Sequence, residues 1–216
     1  MRAPPPPRLT TLVGLMLLTA VVFGEGDESP VIKDLGENRY QIGNVQFHRQ
    51  SKEITFETTL NLKEAVPLEY LLVTEKGKSH EALLSTNIRP FDLNVAFKLL
   101  GYKRTKGGLA RFQATLTWKD TKGTKLSFAA HDLIVSSETS QKMRTDQWTY
   151  VGSQVSDGKF AADLMGDLIS IQEDPAAIAT YAGKAMLGDE RWVPNSKALP
   201  EVGAKITLTL TPERLS

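Results

Sequence analysis

The 216-residue chain contains no cysteine. This absence excludes disulfides, thiolate zinc sites, intrinsic iron–sulfur clusters and a cysteine nucleophile. The folded state must therefore be stabilised by apolar burial and hydrogen bonds alone.

The chain also lacks an excess of charge, because 26 basic and 25 acidic residues leave a net charge of +1. Nucleic-acid binding would lose its main electrostatic driving force, so we expect no nucleic-acid partner. The short basic segment "GYKRTKGG", residues 101–108, is interpreted as a solvated loop. The glycine-rich nucleotide-binding signatures and the hydrolase motif G-x-S-x-G are absent from the sequence.

The N-terminus has the pattern of a secretory leader. Arg2 and Arg8 precede the apolar run 9–23, which carries no charge, and Gly24 and several acidic residues follow. The run is shorter than the roughly 20 residues that cross a membrane, so we expect cleavage of residues 1–24, with a retained anchor as the alternative. Without the leader no stable transmembrane span is expected, and the protein is predicted to be periplasmic or secreted.

The rest of the chain suits one domain. Residues 25–37 are expected to form a short linker, and residues 38–212 a single domain that is large enough for a genuine core.

Strict alternation of apolar and polar residues dominates this part of the sequence. In "RFQATLTWK", residues 111–119, Phe112, Ala114, Leu116 and Trp118 fall on one face. The turn "DTKG", residues 120–123, leads into a second alternating segment, which predicts an antiparallel hairpin.

Further strands and two helices complete the predicted architecture. Similar alternation marks residues 53–62 and 205–212, and "LEYLLVT", residues 68–74, is typical of a central strand. Pro90 and Gly101 bound one predicted helix, about 90–100, and the N-cap Asp174 begins another, about 175–187. The expected fold class is α+β, mostly β, with an antiparallel sheet or sandwich and two short helices.

The segment "GKSHEALL", residues 77–84, raises the question of a site. It begins like the zinc-protease motif H-E-x-x-H, but Leu84 stands where the second histidine would be. In a strand, His80 and Glu81 would point to opposite faces and could not share one metal ion. Packing and separate hydrogen bonds are therefore the simpler interpretation, and His80 is the one candidate metal ligand.

The other histidines and the tryptophans carry weaker signals. The pair His131-Asp132 is expected at a strand end in a structural or surface role, and His48 is expected near a hairpin turn, facing solvent. The sequence separations of the three histidines predict no common metal site. Trp118, Trp148 and Trp192 are expected to pack in the core or at its rim.

Three segments in this order carry a family resemblance: "PLEYLLVTEKGKSHEALLSTNIRPFDLNVAFKLLG", "WTYVGS" and "GDLISIQEDPAAI". The chain resembles the YdjY-like domain family, which comprises exported bacterial proteins whose function is not established. The resemblance implies functional weight for His80, Glu81 and Thr86. It also implies a histidine at the position where this chain has Asn94.

The sequence is compatible with two functions. We favour a ligand- or partner-binding module of the cell envelope, because the chain is rich in predicted strands and poor in assembled catalytic groups. The alternative is a metal-dependent hydrolase or redox-accessory protein that uses His80 and Glu81. No cofactor is evident, and a divalent metal ion belongs only to the alternative. The partner is expected to be a protein or small molecule of the envelope.

Overall fold

A computed structural model describes residues 30–104, 110–144, 147–183 and 191–213. Within these residues the chain forms sixteen strands and two short α-helices. The strands are β1 (Ile32–Gly36), β2 (Arg39–Ile42), β3 (Val45–His48), β4 (Ile54–Leu60), β5 (Tyr70–Thr74), β6 (Ala82–Thr86), β7 (Arg111–Lys119), β8 (Lys125–Ala129), β9 (Ile134–Ser136), β10 (Trp148–Tyr150), β11 (Val155–Ser156), β12 (Lys159–Phe160), β13 (Asp167–Ser170), β14 (Ala179–Tyr181), β15 (Trp192–Pro194) and β16 (Lys205–Pro212), and the helices are α1 (Pro90–Leu99) and α2 (Ala161–Met165).

Eight of the strands form a closed ring in the order β4-β16-β7-β10-β14-β13-β5-β6, which β6 closes by pairing with β4. Two pairs in this ring, β5–β6 and β13–β14, are parallel. The predicted antiparallel sheet or sandwich is therefore wrong, because the fold is a closed barrel of mixed strand direction. Alternation reports which face of a strand is buried, but a second sheet and a closed ring both bury that face.

The strands outside the ring extend its surface. β1, β2 and β3 continue the sheet outward from β4, and β8 pairs with β7. β1 lies within residues 25–37, the segment expected to be a linker, and all five of its residues are exposed. β11 pairs with β12, and β9 pairs with β15, in two small separate sheets.

The inside of the ring holds the apolar core, as the alternating pattern of β7 and β16 predicts. Phe112, Ala114 and Leu116 are fully buried on β7, and Trp118 is 6% exposed. Leu208 of β16 lies opposite Leu116, between β7 and β4. The predicted hairpin of β7 and β8 is confirmed, and the Asp120 carboxylate closes its turn by accepting hydrogen bonds from two backbone amides.

The first predicted helix is confirmed as α1. Pro90 occupies its first turn, where a missing backbone N–H costs nothing, and Gly101 follows its end with a φ of +90°. One side of α1 packs against the core through the buried residues Leu93, Ala96 and Phe97.

The second predicted helix, about 175–187, is wrong over its described residues. Asp174 does cap one turn, since its Oδ1 accepts the Ala176 N–H at 2.8 Å. The chain then enters strand β14, because Ala179 and Tyr181 are buried between β13 and β10. Tertiary pairing thus overrides the local helix signal. Residues 184–187 lie outside the described part of the chain.

In the described part of the chain, neither α1 nor α2 has the length and apolar character that a membrane-spanning helix requires. The predicted leader, residues 1–24, lies outside the described residues.

Candidate functional site

His80 and Glu81 lie in a single turn of 3-10 helix, Ser79–Glu81, and not in a strand. Their Nε2 and Oε1 atoms are 3.0 Å apart, so the expectation that the two side chains point to opposite faces is wrong. A 3-10 turn has three residues per turn, which brings neighbouring side chains closer than a strand does. The His80 side chain is 75% exposed and that of Glu81 is 31% exposed.

The two parallel strand pairs explain what surrounds this turn. Parallel neighbours usually need a crossover of about a dozen residues or more, but here residues 75–81 and 171–178 return the chain by shorter paths. Because β5 and β13 are antiparallel neighbours, with Ser170 opposite Tyr70, both return segments pass the same end of β5. The start of β5 is therefore covered by polar residues from both segments.

Tyr70 is the centre of the resulting hydrogen-bond chain. Its hydroxyl donates to Asp174 Oδ2 at 2.9 Å and accepts from Lys78 Nζ at 2.8 Å. The Lys78 ammonium also lies 5.1 Å from the centre of the Tyr70 ring. Burial raises the pKa of Tyr70 to about 12, and the hydrogen bond to Tyr70 raises the pKa of Lys78, so Lys78 is a protonated cation that donates.

Asp167 is the most buried acidic group of this site, at 1% exposure, and its Oδ1 has no hydrogen-bond donor in the described part of the chain. Burial, followed by the neighbouring charge of Asp174, raises the pKa of Asp167 to about 6. A proton on Asp167 removes the repulsion between the two carboxyls and supplies a hydrogen bond between them.

Glu69 and Glu81 form a second carboxyl pair. Burial, and then a hydrogen bond and the charge of Glu81, raise the pKa of Glu69. The backbone holds the pair in place, since Glu69 N–H donates to the Glu81 carbonyl at 2.9 Å. Asn61 steadies the adjoining turn through hydrogen bonds from its side-chain amide to the carbonyls of Ser79 and Ala82.

We call this group the Tyr70 cluster. It contains four carboxyls and one lysine, so its own groups leave an excess of negative charge, and His80 lies at its exposed rim against Glu81. The members of the Tyr70 cluster are Glu69, Tyr70, Lys78, Glu81, Asp167 and Asp174.

Thr86 and Asn94, the other two predicted site residues, serve different contacts. Thr86 is buried, and its hydroxyl donates to the Glu57 carbonyl at 2.8 Å, which joins the end of β6 to β4. Asn94 is 1% exposed, and its Oδ1 accepts the Tyr150 hydroxyl at 2.7 Å, which joins α1 to β10. In the described structure these two hydrogen bonds connect elements of the fold, and neither of them involves His80.

The remaining histidines have local roles. His48 ends β3, and its Nδ1 accepts the Ser51 N–H at 3.1 Å. His131 lies 3.8 Å from Asp132, whose Oδ1 also binds Lys142 Nζ at 2.6 Å.

The tryptophans pack as predicted: Trp118 and Trp148 are buried, and Trp192 is half-buried against the core. Among the described residues, no group of three or more histidine and carboxylate side chains is arranged to hold a metal ion.

Sequence reasoning missed five members of the Tyr70 cluster: Glu69, Tyr70, Lys78, Asp167 and Asp174. One signal was available, because Asp167 is an ionisable residue that begins a strand buried over its whole length, β13. Charged residues are rarely buried without a partner. A buried strand with a carboxylate at its end is thus a reason to look for neighbouring acids or bases.

The YdjY domain model matches residues 45–211, which include nearly all of the closed ring and every member of the Tyr70 cluster. The chain belongs to the YdjY domain family. The resemblance seen in the sequence is thereby confirmed. No curated protein and no solved structure matches this YdjY domain chain.

Proposed function

We propose that this YdjY domain is an exported binding module of the cell envelope that holds a cationic group at the Tyr70 cluster. The ligand class is a primary amine or a guanidinium, carried by a protein partner or by a small molecule. One observation carries the proposal: four carboxyls lie close together near Tyr70, one of them the buried Asp167, and Lys78 is the one lysine or arginine in contact with this cluster in the described structure.

In the free protein the ionised forms of the clustered carboxyls are unfavourable, and this supports the proposal. Two carboxyls of the cluster, Asp167 and Glu69, have raised pKa values, and in both cases burial and a neighbouring acid contribute. A bound cation would favour the ionised form of each, since an opposite charge lowers the pKa of a carboxyl. Binding would therefore release protons at a pH near 6.

Access to the cluster comes from its rim. Glu81 is partly exposed and His80 is mostly exposed, whereas Asp167 is shielded from solvent. The ligand would contact Glu81, Glu69 and Asp174, and Asp167 would act on it through its charge alone. The short return segments hold Glu81 and Asp174 in place before a ligand arrives, which limits the loss of conformational freedom on binding.

Lys78 occupies the position of an internal counter-ion. Its ammonium binds the Tyr70 hydroxyl, so it is held against the same carboxyls that an external cation would approach. Replacing it by an uncharged side chain of similar length leaves the carboxyls uncompensated. Lys78→Met should therefore bind a cationic ligand more tightly than the wild type, a result that a purely structural role of the cluster does not predict.

The decisive experiment is calorimetric titration of the purified protein with spermidine and with a short arginine-containing peptide. We expect saturable binding that weakens in Glu81→Gln and in Asp174→Asn and strengthens in Lys78→Met. Glu138→Gln, which removes an exposed carboxylate far from these residues in sequence, is the matched control and should leave binding unchanged. Failure of both cations to bind, or an equal loss in the control, would refute the proposal.

A second candidate function is a metal-dependent hydrolase or redox-accessory protein, and the contact between His80 Nε2 and Glu81 Oε1 favours it. A carboxylate that orients an imidazole is a common arrangement beside a catalytic metal. Titration with Zn²⁺ and Mn²⁺ distinguishes the two candidates. Stoichiometric metal binding that His80→Ala abolishes would support the second candidate, and its absence would leave the binding module.

A further inference from the structure

A separate groove runs over the outer face of the sheet, where β2, β3, β4 and β16 lie side by side. It is open to solvent and has a volume of about 420 Å³. None of its lining residues belongs to the Tyr70 cluster. Six of them carry neutral polar side chains: Gln41, Asn44, Gln46, Thr55, Asn87 and Thr207.

Strand pairing places these side chains in lateral rows. Gln41 lies opposite Gln46, and Gln46 lies opposite Thr55, which forms one row across three strands. Thr207 lies opposite Glu57 in the next row. Cross-strand neighbours on one face are about 5 Å apart, so amide and hydroxyl groups follow one another at a regular short spacing.

Most of this hydrogen-bonding capacity is unused within the protein. Gln41 Nε2 donates to the Gly43 carbonyl at 2.7 Å, which fixes that amide at one end of the groove. No side-chain hydrogen bond in the described structure involves Asn44, Gln46 or Thr207, and the same holds for Thr55 and Asn87. Elsewhere on the outer face, by contrast, Thr117 and Ser127 pair with each other at 3.0 Å.

The charge of the groove narrows the ligand class. Glu57 carries the one formal charge among the described lining residues, and Lys205 Nζ binds its Oε1 at 3.0 Å. The groove therefore offers no strong field to an ion. Amides and hydroxyls both donate and accept hydrogen bonds, so they match a ligand that has closely spaced donors and acceptors and no charge.

We propose that this groove binds a neutral oligosaccharide. The hydroxyls of a sugar ring donate and accept in turn, as the side chains of the rows do, and the Glu57 carboxylate can accept from two neighbouring hydroxyls. This site is independent of the cationic ligand proposed above, because it uses different residues on a different set of strands. Either proposal can fail while the other holds.

The test is an NMR titration of the isotopically labelled, purified protein with cellotetraose, chitotetraose and maltotetraose in turn. Each sugar is taken to about 10 mM, which would nearly saturate a site with a Kd of about 1 mM. We expect saturable shifts of the backbone amides of β2, β3, β4 and β16 with at least one sugar, and none confined to the Tyr70 cluster.

Two variants make the assignment specific. Gln46→Ala should weaken binding about fivefold or more, since the side chain lies in the middle of the longer row. Gln113→Ala removes an exposed amide from β7 outside the groove and should leave binding unchanged. The spectra themselves report whether each variant is folded. Absence of saturable shifts with all three sugars, or undiminished binding by Gln46→Ala, would overturn the proposal.

Discussion

The Tyr70 hydroxyl and the Asp174 carboxylate, 2.9 Å apart, join strand β5 to the segment that connects β13 with β14. Tyr70 is 2% exposed, so this hydrogen bond lies largely out of solvent. Hydrogen bonds to charged groups contribute more to stability than neutral ones do. Because the Tyr70 hydroxyl also accepts a hydrogen bond from Lys78, this one side chain links the two return segments of the ring.

Tyr70→Phe should therefore destabilise the fold. We expect a loss of about 1–3 kcal/mol in the free energy of unfolding, because Asp174 and Lys78 both lose their partner. Chemical denaturation monitored by circular dichroism measures it. Tyr40→Phe is the matched control, since Tyr40 is half-buried and its hydroxyl makes no hydrogen bond in the described structure. Equal losses in both variants would contradict the role given to Tyr70.

The buried Asp167 predicts an unusual dependence on pH. Its pKa is about 6 in the folded state against an ordinary value of 3.8, so the folded protein binds more protons between these pH values. This contribution to stability is complete below pH 3.8 and is lost as the pH rises through about 6. Its size is of the order of 1–3 kcal/mol.

Asp167→Asn isolates this effect, because asparagine stays neutral at every pH. Denaturation midpoints measured from pH 3.5 to pH 8 should show the wild type losing stability relative to the variant as the pH rises. A residual slope in the variant is expected from Glu69, whose pKa is also raised. Parallel curves for the two proteins would show that Asp167 titrates normally.

The contact between Gly166 and the first return segment predicts a severe steric effect. Gly166 has a φ of +79°, and a Cβ there would lie 2.5 Å from Thr74 Oγ1 and 2.7 Å from Gly77 N. Gly166→Ala should cost about 3 kcal/mol or more, since backbone strain and overpacking add.

Gly123→Ala separates the cost of backbone strain from the cost of the steric clash. Gly123 has a similar φ of +82°, but a Cβ there would meet no atom within 4 Å. Its cost should be about 1–2 kcal/mol, from backbone strain alone. Thermal or chemical denaturation of both variants gives the comparison, and a cost at Gly123 as large as that at Gly166 would remove the steric argument.

The alternation of β7 predicts opposite sensitivities for two neighbouring residues. Leu116 is fully buried, so Leu116→Ala should cost about 2–5 kcal/mol in the free energy of unfolding. Thr117 lies on the outer face, and its hydroxyl forms one hydrogen bond in the described structure, to Ser127, so Thr117→Ala should cost about 1 kcal/mol or less. Similar denaturation midpoints for the two variants would be inconsistent with this assignment of faces.

The proposed leader has a direct test in the native host. Mass spectrometry of the purified protein should find a mature N-terminus close to Gly24, because small residues stand at the offsets that cleavage requires. A product that retains residues 2–23 would instead favour an anchored protein.

The features of the fold that could be predicted from the sequence are those set by local patterns of residues, such as alternation and helix ends. Alternation identified the buried face of β7 and β16, and Pro90 with Gly101 bounded α1 closely. Ring closure has no such signature, because it depends on β16 pairing with β4 and β7 at once. Long-range pairing also explains why the second predicted helix does not form. Asp174 caps a turn as predicted, but the apolar residues after it pair with neighbouring strands as β14.

The candidate site could be predicted only where its residues are neighbours in sequence. The pair His80-Glu81 was visible as a motif, although its turn geometry was not. Tyr70 and Asp174 meet because β5 and β13 are antiparallel neighbours and each is followed by a short return segment. That relationship depends on strand register over about a hundred residues, which one sequence does not display.

The position of β16 has a consequence for how the chain folds during synthesis. β4 is synthesised early and pairs with β16, yet β16 is the last of the described strands in chain order. Pairings between such distant segments raise the contact order, and folding slows as contact order rises. While the ribosome is still translating, β4 and β7 expose unpaired edges, and the ring can close only after residues 205–212 have emerged.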